Sequence, residues 1–162
     1  LDLLAAAEAG RELHGRIVLA SLERVASLLA SPAGELQVDM QLGKDPDGTC
    51  RLSGSIRGNL VLQCQRCLEA LPWPLDVEFR LGLVRSQEAA ERLARGYEPL
   101  LVTAEPACVA DIVSDEVLLA LPFAPVHEDP DECHGMYKDY QPSCDVQREN
   151  PFAVLAGLKQ KQ

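Results

Sequence analysis

Over two long stretches between Cys50 and Leu83, apolar side chains recur at every second position, and a chain with that pattern is committed to a sheet. The first stretch carries Cys50, Leu52, Ile56, Leu60 and Leu62, with Gly54 and Gly58 standing where a bulge or bend would fall. The second carries Leu75, Val77, Phe79, Leu81 and Leu83, with Asp76, Glu78 and Arg80 between them. Each stretch presents one apolar and one polar face, as a strand buried on one side must. Residues 50–84 therefore read as two long antiparallel strands joined by a connection that holds Cys64 and Cys67.

The flanking sequence extends this sheet. Leu36, Val38, Met40 and Leu42 alternate as a further strand, and Lys44-Asp45-Pro46-Asp47-Gly48 is a hairpin turn leading into the next. Residues 14–20 read as a short strand. Ser21 is placed to cap a helix bearing Leu22, Val25, Leu28 and Leu29, ended by Pro32 and Gly34. The alanine-rich opening, residues 1–12, reads as a frayed helix. Ser86 can cap a polar helix, residues 99–102 are extended, and Asp111 can cap a helix carrying Ile112, Val113, Val117 and Leu118 until Pro122 and Pro125 stop it. Residues 127–149 form a polar, acidic loop, after which Asn150 and Pro151 open a short amphipathic helix through Phe152, Leu155 and Leu158. No repeat or domain boundary interrupts the chain. The expectation is a single α+β domain over residues 1–162: an antiparallel sheet, strongly curved or barrel-like, packed by a few helices.

Composition removes several function classes. The longest apolar run, residues 117–126, is ten residues with two prolines, whereas a membrane-spanning helix needs about 20 apolar residues. The start shows no basic region followed by an apolar run, and six cysteines in 162 residues are too sparse for a disulfide scaffold. The expected compartment is the cytoplasm, with reduced thiols. The formal net charge of −10 is wrong for a protein that binds nucleic acid with its whole surface. It leaves room for a local basic footprint on RNA, or for an acidic surface that binds a basic protein. Neither a membrane nor DNA is an expected partner.

Cys64-Gln65-Arg66-Cys67 is the sharpest local feature. Two thiols at this spacing on a turn can grip one metal ion, and the same spacing serves thiol–disulfide exchange. Exchange motifs open a helix with the first thiol at solvent, whereas this pair follows a strand. A zinc site needs two more ligands, for which Cys133 and Cys144 are the candidates and His127 and His134 the alternates. The spacing from Cys133 to Cys144 is not that of a zinc ribbon, so spacing alone favours thiols without a metal; zinc is the one cofactor in question. Cys50 and Cys108 read as core or near-core residues. The cluster Glu128, Asp129, Asp131 and Glu132 lacks the alternating ligands and central glycine of a calcium loop. No phosphate-binding loop, zinc-protease helix or serine nucleophile motif is present, and nothing here composes an enzyme. Arg51, Arg57 and Arg66 lie on or near one strand. With Trp73 they form the candidate set for contact with RNA or a partner, although composition alone favours ordinary solvated charges and a packed Trp73.

Leu62-Gln63-Cys64-Gln65-Arg66-Cys67-Leu68-Glu69 resembles the signature of the YceD-like family, the large ribosomal RNA subunit accumulation proteins. Gly96-Tyr97-Glu98-Pro99-Leu100 follows in the family's order. So do Asp111-Ile112-Val113, Asp115-Glu116 running on to Pro122, Pro125-Val126-His127, and Asn150-Pro151-Phe152. The resemblance covers nearly the whole chain. It implies a bacterial, cytoplasmic, non-enzymatic protein that supports accumulation of 23S ribosomal RNA. Its implied role lies in large-subunit assembly or in rRNA processing and stability. The implied partner is precursor 23S rRNA or a large-subunit intermediate, with a ribosomal protein as the alternative. Some members carry extra cysteine pairs near the C-terminus that look zinc-binding; this sequence has Cys133 and Cys144 singly.

Overall fold

The two alternating stretches become the centre of one sheet. The computed structural model describes residues 1–103, 105–129 and 132–133; most of the acidic loop, Cys144, and the helix expected from Asn150, Pro151 and Phe152 lie outside them. Among the described residues, β1 (Glu12–Val18), β2 (Glu35–Lys44), β3 (Cys50–Gln63), β4 (Ala70–Val84) and β5 (Glu98–Leu101) lie side by side in chain order. β1 to β4 pair antiparallel, and β5 joins β4 parallel. The class is the expected α+β. The order is linear and β1 does not meet β5, so the sheet stays open and the barrel-like form is not reached.

One face of the sheet is the core. Leu36, Val38, Met40 and Leu42 of β2, Leu52, Ile56, Leu60 and Leu62 of β3, and Leu71, Leu75, Phe79, Leu81 and Leu83 of β4 are all buried. Helix α1 (Leu3–Glu8) adds Leu3, Ala6 and Ala7 to the same cluster, and helix α4 (Val109–Ala120) adds Ile112, Val113 and Val117. α1 has the cap that a six-residue helix needs, because Asp2 accepts from the Ala5 amide at 3.0 Å. Among the described residues no helix is long and apolar enough to cross a membrane.

Several local expectations change. Pairing runs without a break from Cys50 to Gln63, so the β3 glycines mark no bulge. They mark crowding: a Cβ on Gly54 would stand 2.5 Å from the Asp39 carbonyl oxygen and 2.7 Å from Phe79 Cζ. A backbone carbonyl cannot swing away as a side-chain tip can. Gly54→Ala is therefore expected to destabilise the domain by about 1–3 kcal/mol. This would read as a lower urea midpoint with an unchanged slope, and an unchanged midpoint would refute it. β4 begins at Ala70, earlier than alternation suggested, with Pro72 opposite Val61 and Pro74 opposite Asn59. β5 reaches only Leu81–Val84, so the prolines sit where the far edge of β4 has no strand partner and needs no N–H.

Helix starts also move. Ser21 ends a short 3-10 turn and its Oγ donates to the Val18 carbonyl, so α2 (Glu23–Ala26) starts without a side-chain cap. α4 starts two residues before Asp111, which lies in its first turn rather than capping it and there favours the helix dipole. Ser86 does cap α3 (Gln87–Glu91), accepting from the Ala89 amide at 3.2 Å.

Candidate metal centre

Six residues separate β3 from β4, and their backbone closes on itself. The Cys64 amide donates to the Glu69 carbonyl and the Leu68 amide to the Cys64 carbonyl, both at 2.9 Å. Leu68 takes a φ of +63°, a left-handed conformation that a branched side chain rarely adopts. This tight knuckle turns both thiols to one side. A second segment comes from α4, where Pro122 and Pro125 carry the chain away from the helix end. The Gln65 amide donates to the Pro125 carbonyl at 2.8 Å, which staples that segment to the knuckle. His127 and Cys133 arrive beside Cys64 and Cys67 as a result.

The donor atoms of Cys64, Cys67, His127 and Cys133 all lie within 4.8 Å of one another. His127 Nδ1 is 3.5 Å from Cys67 Sγ and 3.6 Å from Cys133 Sγ. Zinc bonds of about 2.3 Å to sulfur and 2.0 Å to nitrogen in a tetrahedron give a sulfur–nitrogen edge of about 3.6 Å. Cys64, His127 and Cys133 are buried and Cys67 is half-buried. None of these thiols is in a disulfide.

The thiols are electrostatically unequal. Burial opposes ionisation of Cys64, but the backbone amides of Cys67, His127 and Arg66 turned to its sulfur outweigh this and take its pKa down to about 5. Burial and the neighbouring thiols of Cys67 and Cys64 push Cys133 up to about 11. A divalent cation favours the thiolate and would draw the remaining protons off. Three sulfurs and one imidazole make a complete tetrahedral set, which fits a structural zinc and leaves no position for a reacting water. Thiol exchange would need a solvent-facing thiolate, and Cys64 exposes 0% of its surface.

The other sequence candidates are dispersed. Arg51 and Arg57 share the solvent face of β3, six positions and about 20 Å apart. Arg51 donates to Ser53 Oγ at 3.0 Å, and Arg57 pairs with Asp76 at 3.0 Å. Arg66 lies in the knuckle itself, so the three arginines do not form one contiguous face. Trp73 packs half-buried against the core, opposite Leu60. Cys50 is half-buried and Cys108 is exposed, so the latter is not the near-core residue expected. Tyr97 donates its hydroxyl to Asp45 at 3.3 Å and ties the β2–β3 turn to the approach to β5, on which Pro99 is exposed. Glu116 is buried on α4, and burial, then the Glu98 and Asp115 charges, raise its pKa. Leu68, Glu69, Glu128, Asp129 and Glu132 are exposed. His127 is the residue that spacing rules undervalued, ranking it behind Cys144; the signal that marked it was the Pro125-Val126-His127 match.

Comparison with known proteins agrees with the sequence resemblance. The family model described as Large ribosomal RNA subunit accumulation protein YceD matches residues 52–159. A Haemophilus influenzae protein named Large ribosomal RNA subunit accumulation protein YceD is 32% identical over 145 residues, which span 86% of this chain and 83% of the relative. No solved structure matches.

Proposed function

Because the chain belongs to the YceD family of large ribosomal RNA subunit accumulation proteins, we propose that it is a non-enzymatic, cytoplasmic factor that supports 23S rRNA accumulation by binding precursor rRNA or a large-subunit assembly intermediate. The family match over residues 52–159 carries this reading. The mechanism is positional. Arg51 and Arg57 on the solvent face of β3 supply phosphate contacts. The Arg57–Asp76 pair has side chains 51% and 69% exposed, and such pairs hold by about 1 kcal/mol or less, so a phosphate can displace the carboxylate. The surrounding acidic surface suppresses contact with RNA at large. Zinc at Cys64, Cys67, His127 and Cys133 belongs to the same reading, with His127 in the place first given to Cys144. When bound it supplies a cross-link between the knuckle and the chain beyond α4, not a reaction.

The test is binding to a set of precursor 23S rRNA fragments over a salt series. The expected result is fragment-selective binding whose affinity falls with salt, and about a tenfold loss for Arg57→Glu. Folded protein that binds none of the fragments at low salt would refute direct RNA contact. A second reading, an acidic module that holds a basic ribosomal protein, is favoured by charge. Residues 1–133 hold 11 of the 15 basic and 22 of the 25 acidic residues, a net charge of −11. Salt-sensitive capture of an isolated large-subunit protein, without RNA binding, would support it.

A further inference from the structure

We infer that Arg66 is a positioning residue of the metal centre, holding its charge in balance, and not part of an RNA-contact surface. The inference rests on the zinc reading above. Three thiolates, one neutral imidazole and a divalent cation sum to one net negative charge, and three of the four ligands are buried. A buried net charge is costly unless an opposite charge or aligned donors meet it. Arg66 supplies both. Its amide lies 3.4 Å from Cys64 Sγ and its Nη1 lies 3.9 Å from Cys133 Sγ. One residue thus reaches sulfurs from both segments that build the centre. Elsewhere among the described residues Arg16, Arg24, Arg57 and Lys44 pair with carboxylates, whereas Arg66 turns to sulfur. Among the described residues, the charged chain neighbours of the ligands besides Arg66 are acidic: Glu69, Glu128, Asp129 and Glu132.

Donors that hold a metal's ligands change its affinity by about 10–100-fold when removed. The amide contact survives substitution of the side chain, so the guanidinium contact is what a variant tests. The experiment compares zinc retention by the full chain against a chromogenic chelator for wild type, Arg66→Gln, Arg66→Lys and the distant control Arg57→Gln. The sulfur-to-cobalt charge-transfer band of cobalt-loaded samples is recorded in parallel. Arg66→Gln should release zinc at about tenfold lower chelator concentration and shift the band. Arg66→Lys, which keeps the charge and loses the planar fork, should recover part of the retention and still shift the band. Arg57→Gln should match wild type. Wild-type retention and an unshifted band in Arg66→Gln would overturn the assignment. Should that variant fold poorly, an unshifted band in Arg66→Lys overturns it equally. Wild type that takes up no zinc would remove the zinc reading itself, and this inference with it.

Discussion

Cys64→Ser is expected to strip the protein of bound zinc and to lower its melting temperature to that of the chelated wild type. Cys64 is the ligand with most invested in being a thiolate: it is fully buried, and backbone amides face its sulfur. A serine hydroxyl has nearly the same shape but does not ionise near neutral pH, so the set drops to three ligands around a hole of unchanged size. The loss is large because of what the centre joins. Cys67 and His127 stand 60 residues apart, and a cross-link of that span removes much of the freedom of the unfolded chain. At free zinc about a thousandfold above Kd, binding adds about 4 kcal/mol. For a chain of this length that is about 10 °C in Tm. Metal analysis and calorimetry with and without a chelator check it. A full equivalent of zinc on Cys64→Ser would show the ligand set to be wrong, and an unchanged wild-type Tm after chelation would show that the centre does not support the fold.

Three of the four ligands, Cys64, Cys67 and Cys133, were candidates in the sequence with His127 an alternate, but only the first two were legible from spacing, and the reason is local. Cys64 and Cys67 lie in one turn after one strand, so their spacing alone states that they can meet a common ion. His127 and Cys133 come from a segment 60 residues later, and only the exit of α4 through Pro122 and Pro125, with the Gln65–Pro125 hydrogen bond, decides that they arrive. The sheet was legible for a similar reason, since burial on one face imposes a period of two that survives in composition. Gly54 broke that period and read as a bulge or bend, because the crowding by Asp39 and Phe79 comes from neighbouring strands. The extended stretch at 99–102 was legible as β5, but four residues are too few for any periodicity to declare its parallel partner. Arg51 and Arg57 share a face by parity, which sequence shows. The carboxylate that meets Arg57 is set by register with β4, which it does not.

Leu60→Ala is expected to cost about 3 kcal/mol, and about 9 °C in Tm, while leaving zinc content at one equivalent. Leu60 is 1% exposed on β3, opposite Trp73, and its truncation opens a cavity in the middle of a packed sheet rather than at a flexible edge. It stands four residues before Cys64, which opens the knuckle just past the end of β3, about 13 Å along the chain. The knuckle is held by its own amides and by Gln65 to Pro125, none of which uses the Leu60 side chain. Changes more than about 10 Å apart add to within about 0.5 kcal/mol. The double variant Leu60→Ala/Cys64→Ser should therefore lose the sum of the two single losses, measured by urea unfolding in the presence of zinc. A sum that falls well short would mean that the knuckle melts before the sheet, in which case the metal clamps only the chain beyond α4 and the global stability of the sheet never depended on it.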